Sequence, residues 1–278
     1  MARNDESGEI PPRASGEWRY IEDALQLAVE MAMTTANGLD SVVSQQIRTY
    51  PRTEPDPRIS SGLSPSQARI LSLLEIHFRL QLPDPEGVAN LRDAYRRIHE
   101  RLASLRRTSF RLVSDAVARR VSGEGRGDTF GYVMGVTLPI FLNERYFSQI
   151  PQHERPGIRA SRTLAGGVGQ PSSGRRVPGT VRYVVEGGGA GFFVGPPPTR
   201  EDRAGVILHE AVHTCYRADG AVHRAISSGE RVTSLTADCN VGYEQITTHT
   251  AALNDAYVFQ RFASCVHRAA APATPSRR

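Results

Sequence analysis

Two histidines four residues apart, with a glutamate directly after the first, stand in Val206-Ile207-Leu208-His209-Glu210-Ala211-Val212-His213. On a helix, positions i and i+4 share one face, so the two imidazoles can converge on one metal ion. Glu210 lies one residue round the same turn, where a carboxylate can accept a proton from a water polarised at that ion. The apolar lead-in of Val206, Ile207 and Leu208 would seat such a helix in a core. His209 and His213 are thus the candidate ligands, Glu210 the candidate general base, and Zn2+ the cofactor this donor set suits.

A catalytic zinc needs a third protein ligand and one open position. Asp219 stands six residues after His213, the offset used by metzincin proteases, but Tyr216 occupies their obligatory glycine and no Met follows Met134. Glu230 and Glu244 would serve an arrangement that draws a Glu from a following helix, and Asp238 is a further candidate. His223, His249 and His267 read as ordinary helix or surface histidines, with His249 also able to orient a ligand from behind.

The elements that must position these groups are legible in the pattern. Thr199 is a suitable N-cap for a helix running through His213, Asp202 completes a reciprocal cap, and Gly220 is expected to end it. A last long helix is expected over roughly 241–266. Upstream, helical stripes begin at Trp18 (Ile21, Leu25, Ala28, Val29, Ala32), follow Ser64-Pro65 (Ile70, Leu73, Leu74, His77, Phe78), and recur after Pro85 (Val88, Leu91, Tyr95, Ile98, Leu102, Leu105). The third of these helices carries Arg92, Arg96, Arg97, Arg101 and Arg106 on its other face. β-branched and aromatic residues at Phe110–Val113 and over 130–142 predict strands. Residues 157–180 predict a long mobile loop, and Val181–Val185 with Phe192–Val194 a hairpin.

Four stretches, in order, resemble the aspzincins, the family of deuterolysin and peptidyl-Lys metalloendopeptidases. They are Val136–Phe141 leading to Tyr146-Phe147, Arg203–His213, Thr236-Ala237-Asp238, and Asn254-Asp255-Ala256-Tyr257 followed by Phe259 and Phe262-Ala263. Together they span about residues 130–265. The resemblance implies an α+β, zincin-like metalloprotease domain with a small sheet, an active-site helix and a long C-terminal helix. It implies zinc held by His209, His213 and Asp238, Glu210 as base, and a protein or peptide substrate. The family's oxyanion Tyr falls at Val241 here, so the resemblance passes that role to Tyr243 or Tyr216. Asp255 and Tyr257 become substrate-binding residues or supports behind a ligand. Lys selectivity would need a second acidic residue where Val258 stands.

Composition sets the outer limits. Hydrophobic residues at 39% and charged residues at 23% describe an ordinary globular chain. No apolar run reaches the ~18 residues of a membrane span. The absence of an apolar leader predicts a cytoplasmic protein or one exported by a specialised route. All 34 Lys+Arg residues are Arg; against 29 Asp+Glu the excess is +5, too small and too dispersed to make nucleic acid an expected partner. Three cysteines do not make a disulfide scaffold, although one pair is compatible with the count. The expected organisation is a flexible arm over 1–17, a helical region over 18–107, a catalytic domain over 108–268 and a disordered tail over 269–278. A second reading is a zincin-fold binding protein of weak or no activity that works through its basic helical face.

Overall fold

The computed structural model describes residues 9–10, 16–49, 63–113, 131–134, 136–143, 146, 158–161, 182–185, 199–228 and 238–270. The expected stripes fold as helices α1 (Gly16–Thr49), α2 (Pro65–Phe78) and α3 (Pro85–Ser104). Ser64 caps α2 through a reciprocal bond pair with Gln67, and Asp84 caps α3 by accepting from the Gly87 amide at 2.8 Å. Every residue named in the stripes of α2 and α3 is buried. In α1 the core face is Ile21, Ala24, Leu27, Ala28, Met31 and Ala32, while Leu25 and Val29 lie at its margin.

The sheet is small and mixed. Strand β1 (Glu9–Ile10) pairs antiparallel with β2 (Phe110–Val113), which runs parallel to β4 (Thr137–Asn143), and β3 (Gly131–Met134) pairs antiparallel with β4. The order is β1-β2-β4-β3, so β3 is an edge among the described strands. Phe110, Leu112, Ile140 and Leu142 are buried between this sheet and the helices. Gly131 lets the sheet approach closely: a side-chain carbon there would stand 3.1 Å from Val206 on the metal-motif helix.

That helix is α4 (Arg200–Cys215), closed at its start by the Thr199–Asp202 reciprocal cap. It is followed by α5 (Ala221–Ser228), α6 (His249–Leu253) and α7 (Ala256–Ala270). Helices α1, α3 and α7 all pack on α4. Phe78 from α2 and Tyr95 from α3 meet Phe259 and Phe262 from α7, and the Tyr95 hydroxyl donates to the Phe259 carbonyl at 2.7 Å. The mostly helical chain with its small mixed sheet is compatible with an α+β class.

Several expectations change. The N-terminal helices and α4 share one continuous core, so the boundary expected at 107/108 is not a break in packing. Glu9–Ile10, placed in the flexible arm, forms β1. Ile158–Ser161, placed in the loop, is strand β5; it pairs with β6 (Arg182–Val185), whose expected partner at 192–194 lies outside the described residues. Gly220 does not end α4, which stops at Cys215; it precedes α5 instead. In place of the single helix expected over 241–266 stand the five-residue α6 and the fifteen-residue α7, because Asp255 accepts the Tyr257 amide at 3.1 Å and starts α7 afresh. Helix α7 then runs two residues past Arg268.

Cys239 pairs with Cys265, not Cys215; Cys215 is a half-buried free thiol whose sulfur faces the Arg97 carbonyl. The disulfide fastens the 238–248 segment to α7, and α2 fastens it from the other side. His77 donates from Nε2 to the Cys239 carbonyl at 3.1 Å, and Arg79 donates from Nε to the Ile246 carbonyl at 2.9 Å. His77 is buried, and desolvation together with the positive charge of Arg261 brings its pKa down to about 4. Its ordinary value is 6.5, so between pH 6.5 and 4 the unfolded chain binds more protons than the folded one. The stabilisation is therefore present above pH 6.5 and is lost as pH falls towards 4, amounting to about 3 kcal/mol. Urea unfolding of the wild type and His77→Gln across this range should show a shallower pH dependence in the variant. Parallel curves would remove His77 as the cause.

Candidate metal centre

The apolar face of α4 buries Ala204, Ile207, Leu208, Ala211 and Val212, which fixes the helix rotation and leaves His209, Glu210 and His213 buried at one spot. The chain then turns at Gly220, where a side-chain carbon would fall 2.5 Å from Asp255 Oδ2. Only glycine leaves room for Asp255 to pack against that turn. Helix α5 buries Val222 and Ala225 and brings His223 back over α4.

The three Nε2 atoms of His209, His213 and His223 form a nearly equilateral triangle with edges of 3.0, 3.2 and 3.0 Å. Hydrogen bonds do not account for it. A proton on one nitrogen can point at only one of the others, so some edge always sets lone pair against lone pair or proton against proton. Three nitrogens about 2.0–2.1 Å from a common zinc stand ~3.3 Å apart, close to what is seen. The group is the one set of three His, Cys, Asp or Glu side chains among the described residues arranged to hold a metal ion. Burial favours the neutral, ligating form of the two histidines of α4: the pKa of His209 is well below the usual range, and that of His213 is lowered to about 4. In both cases desolvation is the main cause and the neighbouring histidines add to it.

Behind each ring stands a polar partner. Asp219 Oδ1 is 3.6 Å from His213 Nδ1, and Asp255 Oδ1 is 3.4 Å from His223 Nδ1. The Gln260 amide lies against His209 and favours its protonated form, although His209 Nδ1 lacks a hydrogen bond of good geometry. Glu210 is buried on α4, and desolvation, followed by the charge of Asp219, pushes its pKa up to about 8; the Val133 amide of edge strand β3 hydrogen-bonds to it and opposes the shift.

The third ligand is where the sequence reading and the structure part. Asp238 is exposed and is not brought to the imidazoles. Its Oδ1 accepts from the Asn240 amide at 2.9 Å and side chain at 3.0 Å, a local turn, while its carbonyl accepts from Arg261. His223 stands in that place instead. The signal for it was a glycine turn followed by a histidine, at a longer spacing from His213 than the metzincin offset. Glu244 is exposed, and Glu230 lies outside the described residues.

The aromatic assignments also change. Tyr243 is buried; its ring lies under the Arg261 guanidinium, 5.5 Å away, and that arginine hydrogen-bonds its hydroxyl. Tyr216 stacks on Phe259 and hydrogen-bonds Arg97. Tyr257 is the tyrosine whose ring packs against the centre, with ring centroids 4.3 Å from His209 and 4.6 Å from His223. His249 donates to the Phe78 carbonyl at 2.8 Å, and His267 faces Glu30 at 3.4 Å, both away from the site. The basic face of α3 is partly neutralised, since Arg92 and Arg96 both pair with Asp40 and Asp93. No helix among the described residues is long and apolar enough to cross a membrane. Comparison with known proteins finds no matching family model, no matching curated protein and no matching solved structure.

Proposed function

We propose that the chain is a zinc-dependent metalloendopeptidase whose ion is held by His209, His213 and His223, with Glu210 as general base. The observation that carries this reading is the convergence of three imidazoles on one point, with a buried carboxylate at the next position on the same helix as two of them. Zinc held there would supply Lewis acidity, polarising a peptide carbonyl and lowering the pKa of a water. Glu210 takes the proton from the attacking water and returns it to the leaving amine. Burial and the Val133 amide hold that carboxyl in one orientation, and a nearby cation would favour its ionised form. Tyr257, against two of the ligand rings, takes the oxyanion-supporting role expected of Tyr243 or Tyr216. Strand β3 offers an edge to which an extended peptide could add beside Glu210.

This ligand set replaces the His/His/Asp set implied by the aspzincin resemblance, so the proposal rests on the site and not on that family. The Cys239–Cys265 bond favours the exported alternative, since cytosolic thiol buffers keep such pairs reduced. The test is hydrolysis of a mixed library of unstructured peptides. Zinc-loaded protein is expected to cleave internal bonds, to stop after chelation and dialysis, and to recover on adding zinc. A fully loaded protein that leaves the library intact would overturn the peptidase reading.

A further inference from the structure

Resting on the metal site just described, we infer that Asp255 is a positioning residue that locks His223 into the ligand set and couples metal binding to the junction of α5 and α7. Its side chain is wholly buried and has three partners. Oδ2 accepts from the Val222 amide at 2.7 Å, fixing the start of α5 one residue before the ligand. Oδ1 accepts from the Tyr257 amide at 3.1 Å, fixing the start of α7. The same Oδ1 faces His223 Nδ1 at 3.4 Å. The Ala256 amide, next in the chain, donates to the Ala218 carbonyl at 3.1 Å and closes the junction from the other side.

His223 Nδ1 is itself buried and makes no hydrogen bond of good geometry. With its Nε2 turned to the common centre to ligate a cation, the ring carries its proton on Nδ1, aimed at Asp255. Donation of the Nε2 lone pair to a cation makes that N–H a stronger donor, and the carboxylate a short distance away is then its acceptor. Asp219 offers His213 a similar partner, but its side chain is 79% exposed, so water competes and the contact is weakly held. Of the two carboxylates, the buried one bound to two backbone amides is built to hold a ring in place.

The experiment is a competition titration of zinc against a chromophoric chelator, for wild type, Asp255→Asn and Asp219→Asn, with Co2+ absorption spectra and thermal melts of each. Asp255→Asn removes the charge and keeps a single oxygen, which either faces Tyr257 and His223 as a neutral, weaker acceptor or serves the Val222 amide and turns an N–H group towards His223. The zinc dissociation constant is expected to rise about 10–100-fold in Asp255→Asn and by much less in Asp219→Asn. The Co2+ spectrum should shift in Asp255→Asn, and zinc should raise its melting temperature less than it raises that of the wild type. A residue serving only as a helix cap would lower the melting temperature yet leave zinc affinity and the Co2+ spectrum untouched; that result overturns the inference while leaving the metal site standing. Absence of zinc binding by the wild type would instead overturn the site itself. If Asp255→Asn does not fold, Asp255→Glu, which retains the charge, should fold with weakened affinity; wild-type affinity in that variant would also overturn the inference.

Discussion

Substitution of Glu210 by Gln is expected to leave one zinc per chain while lowering kcat/KM for peptide cleavage by about 10²–10⁴-fold. The variant keeps the shape of the side chain and an oxygen for the Val133 amide, so the fit of α4 against β3 is preserved. It loses only the capacity to take a proton. Glu210 is not one of the three clustered donors, so the ion should stay. Paired metal analysis and kinetics make the test. Retained turnover would remove Glu210 as the base, and loss of zinc together with activity would make it a ligand instead.

The second large effect is expected at His223. Replacement by Ala leaves two imidazoles from a single helix, and the zinc dissociation constant should rise by more than the ~10–100-fold typical of losing a partner behind a ligand. Asp238→Ala should bind zinc as the wild type does, because that carboxylate is exposed and engaged with Asn240. Equilibrium titrations of the two variants side by side separate the alternatives. Weakened binding in Asp238→Ala with unchanged binding in His223→Ala would restore the ligand set that the family resemblance implies.

The contrast between these residues shows what a sequence makes visible. His209, Glu210 and His213 lie within one turn of one helix, so spacing alone puts them together. The Thr199 cap and the stripes of α2 and α3 are local in the same sense, and the structure forms them as expected. His223 reaches the site only because Gly220 lets the chain fold tightly over Asp255, and that close approach is tertiary. By type alone Asp255 suits a substrate contact or a support; its burial, its two backbone partners and its contact with His223 place it behind that ring. The division of the C-terminal helix was hidden for a related reason. Apolar periodicity continues across Asn254-Asp255, while the break is made by Asp255 turning its carboxylate to backbone amides on both sides. Cys239 and Cys265 meet because α7 runs past the 238–248 segment, a relation that no spacing rule states.

Zinc K-edge X-ray absorption of the loaded protein tests the central claim most directly. Three imidazole nitrogens are expected at about 2.0–2.1 Å with the remaining coordination from light oxygen donors, and one imidazole fewer in His223→Ala. A wild-type spectrum with only two imidazoles, unchanged in His223→Ala and altered in Asp238→Ala, would contradict it.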